Sequence, residues 1–378
     1  MRGVLQIISA ASIADLLLTK PNSMNKNPTT SLWQRVSKRA LMCLLLSCAC
    51  APKDPLPPAP EVPLDTVPHY ICVTDQSFGL HVVDITEPEV PRIIGSIDTL
   101  YGGQGIRADA VATIGSYAYV ADIGWGLPTR PGGLRVVDIS NPANPSIVGV
   151  VDPENAYAVS ISGDRAFAIG HTFGGPGSLY VIDISVPSAP VQVGSVSGFG
   201  IGDVTVVGAN AYAAVGLTGL KIVDISNPAM PVVVSTLDTP GEAWDVVVVG
   251  SYAYLADGVS GLQVVLVTNP RSPRIVSSVD GSSSGGGGRG IAVMGAYAYL
   301  ADGSAGLQVV DISDPENPTI VGSVVTDWAT DVAISIGYAF IADGPGLRVI
   351  DIADPTAPRI VGFTNTGGAA SGVALVSR

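Results

Sequence analysis

The sequence predicts an all-β fold, a seven-bladed β-propeller closed by a C-terminal strand that completes the first blade. Three observations predict it. One phrase recurs seven times, turn signals cut each copy into four short strands, and the two ends of the array complement each other.

The phrase first reads Gly79-Leu-His-Val-Val-Asp-Ile and starts again at Gly133, Ser178, Gly219, Gly261, Gly306 and Gly346. Its sixth residue falls at Asp84, Asp138, Asp183, Asp224, Leu266, Asp311 and Asp351, in steps of 54, 45, 41, 42, 45 and 40. A period of roughly 40–45 residues with several strands per unit marks a propeller blade. One copy shows the four strands: Asp245-Val-Val-Val-Val, Tyr252-Ala-Tyr-Leu-Ala, Leu262-Gln-Val-Val-Leu-Val and Pro273-Arg-Ile-Val-Ser-Ser-Val. β-Branched and aromatic residues dominate them, as strands prefer.

The breaks carry their own chemistry. Gly250-Ser251 makes a first turn; Asp257-Gly258 and Asp302-Gly303 make a second, suited to positive φ. The third is Asn-Pro or Asp-Pro with a further Pro three residues on, as in Asn141-Pro142 and Pro145, where Pro interrupts the hydrogen-bond ladder. The strands read as apolar runs more than as strict alternation, which suits sheets covered on both faces. The array opens with a second-type strand, Tyr70–Asp75, and ends with a lone first-type strand, Gly372–Ser377. Pairing Val373–Val376 with Ile71–Thr74 would leave no blade edge open.

Phrases such as Leu-Arg-Val-Val-Asp-Ile-Ser-Asn-Pro from Leu134 and Gly-Ser-Tyr-Ala-Tyr-Val-Ala-Asp from Gly115 resemble LVIVD-repeat proteins, over about residues 69–378. That resemblance implies a bacterial, extracytoplasmic β-propeller. It weakens at Leu266-Val267, where the Asp-Ile pair is lost, and at Ser178, where the Gly is lost. It carries no catalytic motif and so implies no active site.

Charged residues are only 13% of the chain and mean hydropathy is +0.42, which two-sided burial of blades accounts for. Residues 1–47 hold six Lys/Arg and one acid, so the remainder carries 13 bases against 31 acids, a charge of −18. Such a surface argues against nucleic acid as a partner. Arg35, Lys38 and Arg39 precede the apolar run Ala40–Leu46, too short to span a bilayer but suited to the h-region of a signal peptide. Leu45-Leu-Ser-Cys48 resembles a lipobox, which implies cleavage before Cys48 and its lipidation. Residues 51–68 contain seven prolines and read as an extended stalk. The expected organisation is a signal peptide over 1–47 (Met24 is an alternative start), a lipidated Cys48 and stalk over 48–68, and the propeller over 69–378. The address is the bacterial cell envelope, as an outer-membrane lipoprotein or on the extracellular surface, with the membrane reached through the lipid anchor and the chain a monomer. Cys72 occupies a strand position and reads as a buried free thiol.

Chain direction places the blade-to-blade connections and the second turns on one face. All the long insertions fall there: 99–108, 123–132, 171–177 and 281–289. Working loops collect where a rigid scaffold tolerates variation. Trp125, Arg130, His171, Phe173, Trp244, Arg289 and Trp328 lie in or beside these loops and are the candidate ligand-binding residues for a protein or carbohydrate. Trp244 and Trp328 serve equally well as covers over blade edges. Asp109, Asp203, Asp245 and Asp331 recur at the start of first strands and should ring one channel mouth. A carboxylate ring could hold Ca²⁺; the alternative is capping of nearby backbone N–H groups. The third-strand Asp residues, such as Asp224, should accept hydrogen bonds from the following turn, and Asp122, Asp257, Asp302 and Asp343 read as turn residues.

With three His in the chain and no local triad signature near His171, no catalytic residue is assigned and no resident cofactor is expected. The leading expectation is a lipid-anchored, non-catalytic propeller that binds a protein or glycan through its long-loop face. The alternatives are a hydrolase or lyase using the acidic channel mouth, or a purely structural envelope component.

Overall fold

The structure is a computed structural model and describes residues 69–99, 106–124, 132–152, 155–171, 177–281, 287–335 and 337–376. Residues 1–68, where the signal peptide, lipidated Cys48 and stalk are expected, lie outside the described residues.

Seven four-stranded antiparallel sheets form the seven blades. In six of them the strands follow chain order from the channel outward, beginning at Ile106–Ile114, Asn155–Ser162, Val204–Val207, Asp245–Val249, Gly290–Met294 and Ala329–Ser335 for blades 2 to 7. Blade 1 takes Tyr70–Asp75, Gly79–Asp84 and Arg92–Ile97 from the start of the array, and its innermost strand, Ala370–Leu375, from the end. The closing register pairs Ile71 with Leu375, Cys72 with Ala374, Val73 with Val373 and Thr74 with Gly372. The inner strands then touch one another in sequence around a closed ring. The expected 1+3 closure is what the chain adopts, because it leaves no inner ladder edge open.

The apolar runs follow from this stacking. In the blade 4 phrase, Leu220 and Ile222 pack toward blade 5 with Val246 and Leu255, whereas Val223 and Ile225 pack toward blade 3 with Ile169 and Leu179. Successive side chains point to opposite sheet faces, and both faces meet a neighbouring blade, so both must be apolar. Leu220 and Ile222 are fully buried; burying such a side chain stabilises by about 1.5–3 kcal/mol. Cys72 is buried among these contacts, and burial pushes its thiol up to about 12, which keeps it protonated.

The proline turns between third and fourth strands, Asx-Pro in five blades and Glu87-Pro88 and Val186-Pro187 in the other two, do more than stop strands. In blades 1, 2, 3, 6 and 7 the outer strand carries a glycine against the next blade's turn. A Cβ added at Gly95, Gly149, Gly194, Gly322 or Gly362 would stand 2.0, 2.2, 2.1, 2.2 or 2.3 Å from the carbonyl oxygen of Pro142, Pro187, Pro228, Pro355 or Pro88. In blades 4 and 5 the hydroxyls of Ser235 and Ser277 donate to the Pro270 and Pro315 carbonyls, each at 2.6 Å. The third-strand Asp residues hold the turns as expected: Asp138, Asp224 and Asp311 accept from the N–H groups of Ser140, Ser226 and Ser313 at 2.8–2.9 Å.

The turn reading of Asp122, Asp257 and Asp343 is incomplete: Asp257 does open a turn, its carbonyl accepting from Ser260 N–H at 3.1 Å, but the side chains of all three have a further role. They are buried and tie adjacent blades together. Thr99, Thr239 and Thr326, each just after the outer strand of the preceding blade, donate to Asp122, Asp257 and Asp343 at 3.1, 2.6 and 2.7 Å. Thr366 does the same to Asp75 at 2.6 Å across the closure. Asp302 is buried too, and the Gln308 amide donates to it. Local sequence shows an Asp-Gly turn; it does not show the threonine roughly 17–23 positions away that shares the carboxylate.

The docking geometry makes Gly149 sensitive to a single methyl group. Gly149→Ala is expected to destabilise the propeller by about 1–3 kcal/mol, the usual cost of overpacking a close contact. A denaturant titration will show this as a lower midpoint with an unchanged slope.

Candidate functional site

A cavity of about 320 Å³ opens at one mouth of the channel, on the face of the blade-to-blade connections. Its wall is two tiers deep, and each tier takes one residue from every blade. The lower tier is Ala110, Ala158, Asp203, Asp245, Gly290, Asp331 and Gly372. The upper tier, one residue earlier in each blade, is Asp109, Tyr157, Gly202, Trp244, Arg289, Thr330 and Ser371. Gln76, Arg107 and Ile201 add to the rim.

A backbone irregularity builds the upper tier. Asp109, Tyr157, Thr330 and Ser371 each sit at a register shift, one extra residue on the inner strand. A bulge bends the strand and re-aims side chains, a common device at barrel and channel rims. In blades 5 and 6, Trp244 and Arg289 stand at the same level, each donating its N–H to the last alanine of the second strand, Ala256 and Ala301, at 2.8 Å.

This geometry corrects one expectation. Asp109 does not belong to the ring of Asp203, Asp245 and Asp331. Asp245 and Asp331 pair with Ala256 and Ala342, and the blade 2 counterpart, Ala121, pairs with Ala110. Asp109 is one residue out of register and stands in the upper tier. The sequence held the signal: Asp203, Asp245 and Asp331 each precede the second strand (Asn210, Tyr252, Tyr338) by seven residues, and Asp109 precedes Tyr117 by eight.

The lower tier is a floor of carboxyls built into the backbone. Asp245 accepts from its neighbour Val246 N–H at 2.6 Å and from Ile291 N–H of blade 6 at 2.7 Å. Asp331 accepts from Val332 at 2.7 Å and from Val373 of blade 1 at 2.8 Å. A Cβ added at Gly290 would stand 2.7 Å from the Asp331 Cα and 3.1 Å from its Oδ1, so glycine there leaves room for the next blade's carboxyl. Asp203 accepts from Val204 at 2.7 Å and is hydrogen-bonded to Asp245. Beneath lies a second cavity of about 310 Å³, reaching Thr113, Ser160 and Thr205, which shares only these three carboxyls with the upper one.

Burial drives the protonation of this floor. It pushes Asp203 up to about 6 and Asp331 up to about 7, with the neighbouring carboxyl charges adding to the effect. Asp245 is pushed well above the usual carboxylate range by burial and then by Asp203, so the Asp203–Asp245 pair holds a shared proton. In the upper tier burial also raises Asp109, opposed by Arg107, whose guanidinium lies 3.2 Å from it. The Gln76 amide donates to the same oxygen at 3.4 Å.

The remaining candidates divide. Trp244, Arg289 and Trp328 come together: the Arg289 guanidinium lies 5.0 Å from the Trp244 ring centre and 5.7 Å from that of Trp328. Trp244 and Arg289 line the cavity, and Trp328, 38% exposed, stands beside them. His171 does not line the cavity. It backs Tyr157, stacking on it at 4.8 Å with its Nε2 2.7 Å from the tyrosine hydroxyl. Trp125, Arg130 and Phe173 lie outside the described residues. Tyr157 and Gln76 are cavity residues that the sequence reading missed; Tyr157 was within reach as the residue before Ala158. Among the described residues no group of three or more His, Cys, Asp or Glu is placed to hold a metal ion. Backbone N–H groups already engage the floor carboxyls that the Ca²⁺ expectation rests on.

These features define a closed propeller with one structured channel mouth. The chain belongs to the LVIVD-repeat family, whose repeat matches residues 69–99, 105–153, 155–197, 201–239, 240–281, 285–326 and 328–366. No match was found among curated proteins. Among solved structures the chain is similar to the periplasmic gluconolactonase of Pseudomonas aeruginosa, at 13% identity and TM-score 0.68, over 82% of this chain and 99% of that one. A hypothetical selenium-binding protein from Sulfolobus tokodaii follows at 11% identity and TM-score 0.63, over 83% and 94%. Apo AztD from Citrobacter koseri is similar at 13% identity and TM-score 0.57, over 82% and 98%. At these identities the likeness is one of fold.

The buried carboxyls set a pH dependence of stability. Their folded values lie above the ordinary carboxylate value of 3.8, so their contribution is complete below that value and is lost as pH rises through about 6 for Asp203 and about 7 for Asp331. The exposed turn carboxyls Asp224 and Asp311 are lowered, chiefly by hydrogen bonds from the following serine, so their contribution is lost only in acid, below that same ordinary value. The thermal midpoint is therefore expected to fall between pH 5 and pH 8, and Asp331→Asn should flatten that fall. Calorimetry across the range checks it.

Proposed function

We propose that this chain is a lipid-anchored, non-catalytic binding propeller of the bacterial cell envelope, and that its channel mouth receives a glycan segment. The observation that carries this reading is the contrast between the tiers. The repeat writes nearly the same blade seven times, yet the upper tier holds seven different residues, Asp109, Tyr157, Gly202, Trp244, Arg289, Thr330 and Ser371. The lower tier, by contrast, uses only Ala, Gly and Asp. A ring position with a purely structural task would repeat as the blades do. Aromatic walls at Tyr157 and Trp244, with hydroxyl, amide and carboxyl groups between them, match the alternating apolar faces and hydroxyl edges of a sugar. Arg35, Lys38, Arg39, the apolar run and Cys48 support the envelope address, and the stalk supports display away from a membrane.

Capture of envelope polysaccharides by the full chain in detergent tests the site. Trp244→Ala should weaken capture about three- to tenfold, the value of one aromatic contact; unchanged capture by a folded variant rejects the channel mouth. The anchor is tested separately. Cells fed a labelled fatty acid should label the wild-type chain and not Cys48→Ser.

A second reading has one specific observation in its favour. The proton shared by Asp203 and Asp245, with Asp331 raised to about 7, supplies groups able to give and take protons near neutrality. The name of the similar gluconolactonase makes sugar lactones the substrates to try first. Turnover by the purified chain that disappears in Asp331→Asn would decide for an enzyme.

A further inference from the structure

We propose that the ligand of the channel mouth is an acidic glycan, and that Arg289 receives its sugar carboxylate. This rests on the reading of the mouth as a glycan site and names the chemical class it takes.

The argument begins with charge. Arg107 and Arg289 are the two cations bordering the cavity. Arg107 is paired with Asp109 at 3.2 Å. Arg289 makes no ion pair within 4.0 Å among the described residues, although four carboxyls line the same cavity. Its Nε is enclosed with no hydrogen-bond partner among them. Instead the guanidinium is held against two indole rings, Trp244 of blade 5 and Trp328 of blade 7. Such contacts attract the cation without using its in-plane N–H donors. The donors stay available to a planar acceptor.

The main chain around Arg289 is fixed as well. Gly288 and Gly258 exchange hydrogen bonds at 3.0 and 3.1 Å, and Arg289 N–H donates to Ala301 at 2.8 Å. The side chain therefore starts from a pinned backbone and rests against two rings, so little ordering is needed when a ligand arrives. No floor carboxyl lies within 4.0 Å of Arg289, and all three accept from backbone N–H groups instead. What remains is an unpaired cationic fork on one side of the mouth. Opposite it stand Tyr157, Gln76 and the Asp109–Arg107 pair, suited to hydroxyls. A hexuronate carries both features on one ring: a carboxylate for Arg289 and hydroxyls for the far wall.

The experiment is calorimetric titration of the full chain, in detergent, with oligogalacturonate and with the neutral galactose oligomer of equal length. The acidic oligomer should bind at least tenfold more tightly, the order of one charge-assisted contact. Arg289→Gln should remove that preference, so that the acidic oligomer binds no more tightly than the neutral one, and Arg289→Lys, which keeps the charge and loses the fork, should fall between. Equal binding of the two oligomers overturns the carboxylate assignment and leaves the glycan site standing. A preference that survives in Arg289→Gln assigns the carboxylate elsewhere and also overturns it. Binding of neither oligomer overturns both readings. A thermal midpoint within about 2 °C of wild type for each variant, a shift of roughly 1 kcal/mol or less, shows that folding is not what changed.

Discussion

The contact on which the molecule depends is the one between each outer strand and the next blade's proline turn. It occurs seven times. Five times a glycine presses its Cα toward a proline carbonyl, and twice a serine hydroxyl donates to that carbonyl instead. A propeller has no single core; each blade must bury both faces against neighbours, so blade spacing is the quantity that must be held. Proline stiffens the turn, the third-strand carboxylate fixes it by accepting the N–H two residues on, and glycine permits the approach. The Thr–Asp ties on the opposite face hold the spacing at the other end.

That spacing makes the channel mouth possible. With seven inner strands held in a ring, the residue one before the lower tier in each blade arrives at the same height on the wall. A single-residue bulge at Asp109, Tyr157, Thr330 and Ser371 then turns those positions toward the cavity. The scaffold is thus separated from the site in a physical sense. Phrases such as that starting at Leu220 are constrained on both faces by neighbouring blades, whereas the upper-tier residue faces open space and is free to differ. Diversity at that level sits on a backbone whose geometry does not change with it.

The carboxyl floor shows how burying acids is made tolerable. An isolated ionised carboxylate in this position would be costly to desolvate. Asp245 and Asp331 each take one N–H from their own strand and one from the next blade, and the Asp203–Asp245 pair keeps a proton. The same bonds stitch adjacent inner strands where the strands alone diverge. The floor therefore closes the ring and at the same time divides the channel into two cavities.

The sequence by itself determined the blade count, the strand order and the 1+3 closure. Those properties repeat, and repetition is readable because each copy must satisfy the same local demands of strand, turn and two-sided burial. It also placed Trp244, Arg289 and Trp328 on a common face. Only the tertiary structure decided which of them touch, that Asp109 stands a level above the other three carboxyls, that His171 backs Tyr157 without reaching the cavity, and that Asp122, Asp257 and Asp343 join blades. Each of these depends on a bulge or on partners from separate blades. Such partners meet through the curvature of the ring, and that distance is not written in the local order of residues.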